Sequence, residues 1–143
     1  PLPGFSASEE LGHQLFMTGR GQGGAGCAAC HQPPTFALAA NSLSNGLDAN
    51  ETIIFKSPSL KNVGLSRAFM HDGRFSTLEQ VIEHYNSGIQ NGPALDNRLK
   101  TPAGAPLRLN LTANEKAALV AFLLTLNDGS LTTDAKFSDP FKK

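Results

Sequence analysis

A short run of residues with the chemistry of cofactor attachment lies in the first quarter of the chain: Cys27-Ala28-Ala29-Cys30-His31. In a Cys-x-x-Cys-His run both thiols can add covalently to a porphyrin, and the adjacent histidine can turn inward as an axial ligand to iron. Two intervening residues let one short turn present both thiols to the macrocycle. These are the only two cysteines among the 143 residues, so we expect one covalently attached haem c.

Redox-active dithiols and zinc sites also use closely spaced cysteines. A thioredoxin-like pair follows a strand and opens a helix, whereas here the glycine-rich residues 20–26 precede the motif and Gln32-Pro33-Pro34 follows it. A structural zinc site needs two further ligands, and His13, His71 and His84 are the only other histidines, with no second cysteine pair. The context favours a haem-bearing loop over both alternatives.

The composition excludes several classes of partner. The formal net charge is zero, with 12 basic and 12 acidic side chains, so we expect neither nucleic acid nor an anionic membrane surface as partner. No apolar run approaches the length of a membrane span. We expect one domain over residues 1–143, with a core of about 6–128 and a tail of 129–143, and we interpret Pro1 as the start of a mature or excised chain.

Three capping-box patterns, each a Ser or Thr followed three residues later by Glu, predict three helix starts. Apolar residues at helical spacing follow each start. The predicted helices run from Ser6 to Gly19, from Ser76 to about Tyr85 or Asn86, and from Thr112 to Asn127. With the absence of tryptophan and the 14 glycines and nine prolines, this pattern predicts an all-α domain with long loops around one haem.

The loops are also predicted from composition. Residues 33–55 have weak periodicity and several turn-forming residues, so we expect an extended loop that wraps one edge of the haem. Within it, Thr52-Ile53-Ile54-Phe55 is a candidate short strand. Residues 91–109 are rich in Pro, Gly and Asn and are predicted as loop, and the tail from Ser130, which contains Pro140, has no periodicity.

Five motifs together resemble the C-terminal half of the bacterial dihaem cytochrome c peroxidase and MauG family. They are Cys27-Ala-Ala-Cys30-His31, Pro58-Ser-Leu-Lys-Asn-Val63, Met70-His-Asp-Gly73, Thr77-Leu-Glu-Gln-Val81 and Leu111-Thr-Ala-Asn-Glu115, and the resemblance extends from about Leu11 to Leu126. It implies a cytochrome c-like helical domain whose haem relays electrons to a peroxide-reactive haem in the family's other half. From the single Cys-x-x-Cys-His run we expect these 143 residues to lack that other half.

The sequence departs from the family pattern in two places. Lys61 stands where the family usually has Arg, which removes a bidentate guanidinium. A calcium ion often lies between the two halves in the family, but Ser66 and Ala68 only partly match its ligands, so no calcium is predicted.

The sixth iron ligand decides the function because axial ligation sets haem potential and reactivity. The resemblance implies that this ligand comes from the end of the helix after His-Asp-Gly, usually Met and in MauG-like members Tyr, and Tyr85 occupies that place. Met70 is the rival, since a thioether is the commonest sixth ligand in electron-transfer cytochromes c. His71, water or an open site are further alternatives, although the resemblance implies that His71 organises the haem environment instead.

Other charged and titratable side chains receive simpler interpretations. Arg67, Arg74, Lys56 and Lys61 are candidate partners of the haem propionates. His13 and His84 are interpreted as surface histidines on helices.

Together these observations predict one-electron transfer between a single c-type haem and a redox partner protein or domain. Because haem is attached covalently outside the cytoplasm in bacteria, we expect a periplasmic or otherwise extracytoplasmic location. The alternatives are a part of a MauG-like or dihaem peroxidase enzyme, a weak peroxidase if the sixth position is open, and a haem-bearing interaction module of a larger redox protein.

Overall fold

The computed structural model describes residues 2–138 and 141; Pro1 and residues 139, 140, 142 and 143, which include Pro140 of the predicted tail, lie outside the described residues. None of the described helices is long and apolar enough to cross a membrane. Three α-helices form in chain order: α1, Ala7–Met17; α2, Leu78–Glu83; and α3, Ala113–Leu124. A π-helical turn, His84–Gly88, continues α2.

A small hairpin and several short turns complete the regular structure. Strands β1, His31–Gln32, and β2, Ala37–Leu38, pair antiparallel with His31 opposite Leu38. Strand β2 lies inside residues 33–55, which were predicted as loop, whereas β1 ends just before them. The all-α class and the 6–128 core boundary stay predictions. The 3₁₀ turns in the described residues are Arg20–Gln22, Cys27–Ala29, Val63–Leu65, Asn97–Leu99, Gly129–Thr132 and Ala135–Phe137.

Capping boxes begin all three α-helices. The Ser6 hydroxyl accepts from the backbone of Glu9 while the Glu9 carboxylate accepts from Ser6 N at 2.6 Å, as predicted, and Thr112 with Glu115 forms the same box on α3. On α2 the box begins one residue later than predicted, at Thr77 rather than Ser76. Gln80 supplies the returning side chain there, because its amide oxygen accepts backbone N–H groups as a glutamate would.

The core forms where α1 crosses α3 at close range. An added Cβ at Gly12 would overlap the carbonyl oxygen of Ala118 and lie 2.6 Å from its carbonyl carbon. The rings of Phe16 and Phe122 meet beside this crossing with their centroids 5.2 Å apart. The three helices contribute the following buried apolar side chains: Leu15, Phe16, Leu78, Ile82, Ala118, Leu119, Val120, Phe122 and Leu123.

The candidate strand Thr52–Phe55 is absent from the structure. These residues have no regular structure, and no strand among the described residues pairs with them. A short run of β-branched and aromatic residues forms a strand only where a neighbouring strand supplies partners for its backbone hydrogen bonds. Ile53, Ile54 and Phe55 are therefore left exposed at the surface.

The close crossing of the helices makes Gly12→Ala a test of the core. In an open helix this change stabilises a protein by about 1 kcal/mol, but here the added methyl meets backbone that cannot move aside, so we expect a net loss of about 1–3 kcal/mol. Denaturant unfolding of the variant measures it. Gly21→Ala, which adds its methyl to open space, is the matched control, and a Gly12→Ala protein as stable as the parent would contradict the close packing.

Candidate functional site

The Cys-x-x-Cys-His segment is attached to the end of α1 by backbone hydrogen bonds. Ala25 N donates to Leu15 O at 2.8 Å, and Gly26 N donates to Thr18 O at 3.0 Å. Gly26 then turns the chain with φ of +73°, a left-handed conformation that favours glycine. The 3₁₀ turn Cys27–Ala29 follows directly, so the core helix fixes the direction in which the two thiols leave the backbone.

The other end of the motif is held by the hairpin and by a distant arginine. Cys30 O accepts a hydrogen bond from Ala39 N at 2.8 Å, and His31 begins the paired strand β1. Arg98 Nη1 donates to Ala29 O at 3.0 Å across a separation of 69 residues. The motif is thus held by protein contacts alone, from the end of α1, from the β1–β2 hairpin and from Arg98.

A cleft opens beside this motif. It encloses about 960 Å³ including its open mouth. Its polar groups are few and belong mainly to the motif, to residues 42–45 and to residues 96–98. The larger apolar side chains that line it are Leu38, Leu43, Ile89, Leu99, Leu107 and Leu109.

The buried Asn86 of the π turn holds the apolar wall in place. Its side-chain oxygen accepts from Leu111 N at 2.8 Å, and its backbone oxygen accepts from Leu109 N at 2.9 Å. Leu107 N in turn donates to Leu99 O at 2.9 Å. These bonds bring a loop predicted as irregular against the π turn, so that its leucines face the cleft.

The structure brings four of the five predicted site residues together. Cys27, Cys30, His31 and Tyr85 all line the cleft. Met70 is not among its lining residues, and its Sδ instead accepts a hydrogen bond from Asn45 Nδ2 at 3.2 Å. The two candidates for the sixth ligand therefore occupy different positions in the structure.

The protonation of the motif argues against a redox-active dithiol. Burial raises the pKa of Cys27 to about 12 and also raises the pKa of Cys30. Reactive cysteines have lowered pKa values, because the thiolate is the nucleophile. Burial lowers the pKa of His31, so its imidazole is neutral at pH 7, the form that binds a metal.

The donor set of the cleft fits a covalently held haem. The buried Nδ1 of His31 has no hydrogen-bond partner among the described residues, and a buried polar atom of this kind is costly unless a further group completes it. Cys27 and Cys30 are both free thiols. Two thiols, one neutral imidazole and a mostly apolar cleft are what a porphyrin with a central iron requires.

Tyr85 lies on the π turn rather than on the α-helix itself. Such turns are rare and occur frequently at functional sites. Burial raises the pKa of Tyr85 to about 12, and hydrogen bonding with the Asn45 side chain acts in the opposite direction. The phenol is therefore protonated at neutral pH in the structure as it stands.

Two arginines in the cleft were not predicted from the sequence. Arg20 and Arg98 line it, and Arg98 is clamped by Asp96, with Nε to Oδ1 at 2.9 Å and Nη2 to Oδ2 at 2.8 Å. Arg98 holds the pKa of the buried Asp96 carboxyl down at about 2. Arg98 lies in the 3₁₀ turn Asn97–Leu99, directly after Asp96, and only the fold reveals its contact with the haem motif.

The four propionate candidates chosen from the sequence lie elsewhere. Lys56, Lys61, Arg67 and Arg74 are all exposed, and none is among the residues that line the cleft. Arg74 instead pairs with two aspartates, Asp48 and Asp72, by charge-assisted hydrogen bonds. The Met70–Gly73 motif does not border the cleft either, and the pairing of these four side chains with propionates stays a prediction.

Of the histidines outside the motif, His84 differs from expectation. His84 is buried, with 5% of its surface exposed, and its Nε2 donates to Asn45 O at 3.0 Å, so its interpretation as a surface residue was wrong. His71 is exposed and stacks on Phe55 with ring centroids 3.6 Å apart. It does not line the cleft.

Within residues 2–138 and 141, one group of three metal-ligating side chains comes together, and it contains neither cysteine. It consists of Asp48, Glu51 and His71. Asp48 is already paired with Arg74 there. Among the described residues, therefore, neither cysteine belongs to a group of three side chains close enough to hold a zinc ion.

Comparison with known proteins identifies the family. The family model described as di-haem cytochrome c peroxidase matches residues 6–121. Methylamine utilization protein MauG of Methylorubrum extorquens is 34% identical over 136 residues, which cover 85% of this chain and 35% of that protein. Cytochrome-c peroxidase IdrP2 of Denitromonas iodatirespirans is 38% identical over 81 residues, 57% of this chain and 19% of that protein.

A solved structure extends the same relationship. The crystal structure of a MauG-like protein associated with microbial copper homeostasis superposes with a TM-score of 0.70 at 31% identity, covering 96% of this chain and 52% of that chain. The chain thus spans about a third or less of the curated relatives named above. It belongs to the di-haem cytochrome c peroxidase family and is a haem cytochrome domain of that family.

The ion pair between Asp96 and Arg98 predicts a specific acid dependence. The folded pKa of Asp96, about 2, lies below the unfolded value of about 3.9, so its contribution to stability is complete above about pH 4 and is lost as the pH falls towards 2. Asp96→Asn should cost about 1–3 kcal/mol at pH 7 and progressively less below pH 4. Denaturant unfolding at pH 7, 5 and 3 measures this, with the exposed Glu79→Gln as control. A cost that does not vary with pH would contradict the ion pair.

Proposed function

We propose that this domain carries one covalently attached haem c and transfers single electrons to and from a redox partner. The observation that carries the proposal is the cleft itself, where Cys27, Cys30, His31 and Tyr85 meet within a mostly apolar wall. When bound, haem supplies an iron that is reversibly oxidised and reduced by one electron.

Each residue of the motif has a separate role in this proposal. Each thiol of Cys27 and Cys30 would add across a vinyl group, so that a carbon–sulfur bond forms and the thiol hydrogen passes to the neighbouring carbon. His31 would hold the iron through the lone pair of a ring nitrogen. Tyr85 rather than Met70 would supply the further ligand, because Tyr85 lines the cleft and Met70 does not.

The remaining cleft residues orient the group and control its surroundings. Arg98 and Arg20 offer guanidinium donors suited to the propionates, whose carboxylates pair well with arginine. The leucines and Ile89 exclude water, and a dry site is a main lever on reduction potential. Because Arg98 also bonds Ala29 O, one side chain serves both the haem attachment turn and the cleft.

The proposal includes a location and a partner class. Covalent attachment of haem takes place outside the cytoplasm in bacteria, so we propose a periplasmic or otherwise extracytoplasmic domain. The share of the relatives that the chain spans, 35% for the MauG of Methylorubrum extorquens, supports the second candidate function. In that case this domain relays electrons within a larger MauG-like or dihaem peroxidase enzyme.

Spectroscopy of the ferric protein tests the axial ligands. Replacing His31 with Ala should remove most of the low-spin signal in optical and electron paramagnetic resonance spectra, because the proximal nitrogen is lost. Tyr85→Phe should abolish phenolate-type features. Met70→Leu, in contrast, should keep the spectra of the parent. Unchanged spectra in His31→Ala would refute the site, and a sulfur-to-iron charge-transfer band lost only in Met70→Leu would assign the sixth position to the thioether.

Carbon monoxide distinguishes electron transfer from peroxidase chemistry. The ferrous protein should bind carbon monoxide more slowly than Tyr85→Phe does, because Tyr85 must first leave the sixth position. Optical titration of both proteins measures this, with Met70→Leu as the control that should behave as the parent. Rapid binding by the unmodified chain would favour the weak peroxidase.

A further inference from the structure

Asn45 contacts both rivals for the sixth iron position. Its side-chain Nδ2 donates to the Sδ of Met70 at 3.2 Å, and the residue itself lines the cleft together with Tyr85. Its backbone oxygen accepts from Nε2 of His84, the neighbour of Tyr85, at 3.0 Å. One residue therefore connects the Met70 loop to the π turn that carries Tyr85.

The backbone on either side of Asn45 is fixed. Ser44 N donates to Ala94 O at 2.9 Å, and Ser44 O accepts from Asp96 N at 2.9 Å. On the other side, Gly46 O accepts from Gln90 N at 2.8 Å. An amide mounted on such a rigid segment can restrain a flexible side chain, whereas a mobile loop could not.

Met70 is the flexible partner of this contact. Its side chain has three rotatable bonds and a polarisable sulfur, which make it adaptable. Its backbone has φ of +70°, a conformation that non-glycine residues adopt only when their surroundings impose it. The thioether lies one side chain away from the cleft, beyond Asn45.

We propose that Asn45 is a positioning residue that holds the Met70 thioether outside the cleft and so leaves the sixth haem position to Tyr85. This inference rests on the proposed function and adds to it the residue that selects between the two ligands. The selection acts through the hydrogen bond: Nδ2 of Asn45 engages the sulfur lone pair of Met70 that iron would otherwise take.

The test uses the haem-loaded chain and its Tyr85→Phe, Asn45→Leu and double variants. Leucine matches the shape of asparagine but cannot donate a hydrogen bond. Methionine ligation is measured by the sulfur-to-iron charge-transfer band of the ferric form and by the strongly shifted ε-methyl resonance of the ferrous form. Adding Met70→Leu to the double variant identifies the sulfur, and Asn114→Leu, at an exposed position of α3, controls for an added apolar side chain.

We expect no methionine signal in Tyr85→Phe alone, because Asn45 still holds Met70. In the double variant the methionine signal should be at least about five-fold above the background level of Tyr85→Phe alone, as the loss of one hydrogen bond allows. The signal should vanish when Met70→Leu is added. A methionine signal in the parent or in Tyr85→Phe alone would overturn the proposal. A double variant without the signal would overturn it as well.

Other measurements on the same proteins test the proposed function separately from the role of Asn45. Haem that is removed from the denatured chain by organic solvent would refute covalent attachment, and identical spectra for parent and Tyr85→Phe would refute the tyrosine ligand. Should Asn45→Leu not fold, Asn45→Asp keeps the shape and the backbone carbonyl, and its ionised side chain has no N–H to donate. Release of Met70 in Asn45→Asp with Tyr85→Phe supports the proposal, and retention contradicts it.

Discussion

The site depends on the hydrogen bond from Ala25 N to Leu15 O, 2.8 Å long, which joins the haem motif to the last full turn of α1. Ala25 is itself part of the core, so the glycine-rich segment before the cysteines cannot move independently of the helices. Its position relies in turn on the α1–α3 crossing at Gly12 and Ala118. The core thus places a turn that has little regular structure of its own.

The cleft combines an apolar wall with a few charges that are fixed in advance. Asp96 is buried and satisfied by Arg98, and its Oδ2 also accepts from Leu43 N at 2.8 Å. A carboxylate with this many donors is stable in a poorly hydrated place. Arg98 also donates to Ala29 O and Ser42 Oγ, so the ion pair connects three segments of the chain. The leucines remain the main surface that faces a cofactor.

Features that depend on neighbouring residues could be predicted from the sequence, and features that depend on distant ones could not. The cysteines, His31 and the Ser6 and Thr112 helix starts are local patterns with local causes. The contact of Arg98 with Ala29 spans 69 residues, and the contact of Asn45 with Met70 spans 25; no periodicity marks either. The Thr52–Phe55 strand failed for the same reason, since a strand is defined by its partner.

The environment of Tyr85 bears on the reduction potential of a haem held in this cleft. Burial raises the pKa of the phenol to about 12, because an unpaired phenolate would be a charge in a poorly hydrated place. A bound ferric ion inverts that preference, since a nearby cation stabilises the phenolate, and it does so more strongly than a ferrous ion of lower charge. Under the proposed ligation the same burial that keeps the free phenol neutral therefore favours the oxidised state and lowers the reduction potential. Met70, a neutral donor, has no such bias, which is why the residue that holds it away from the cleft bears on the potential of the domain.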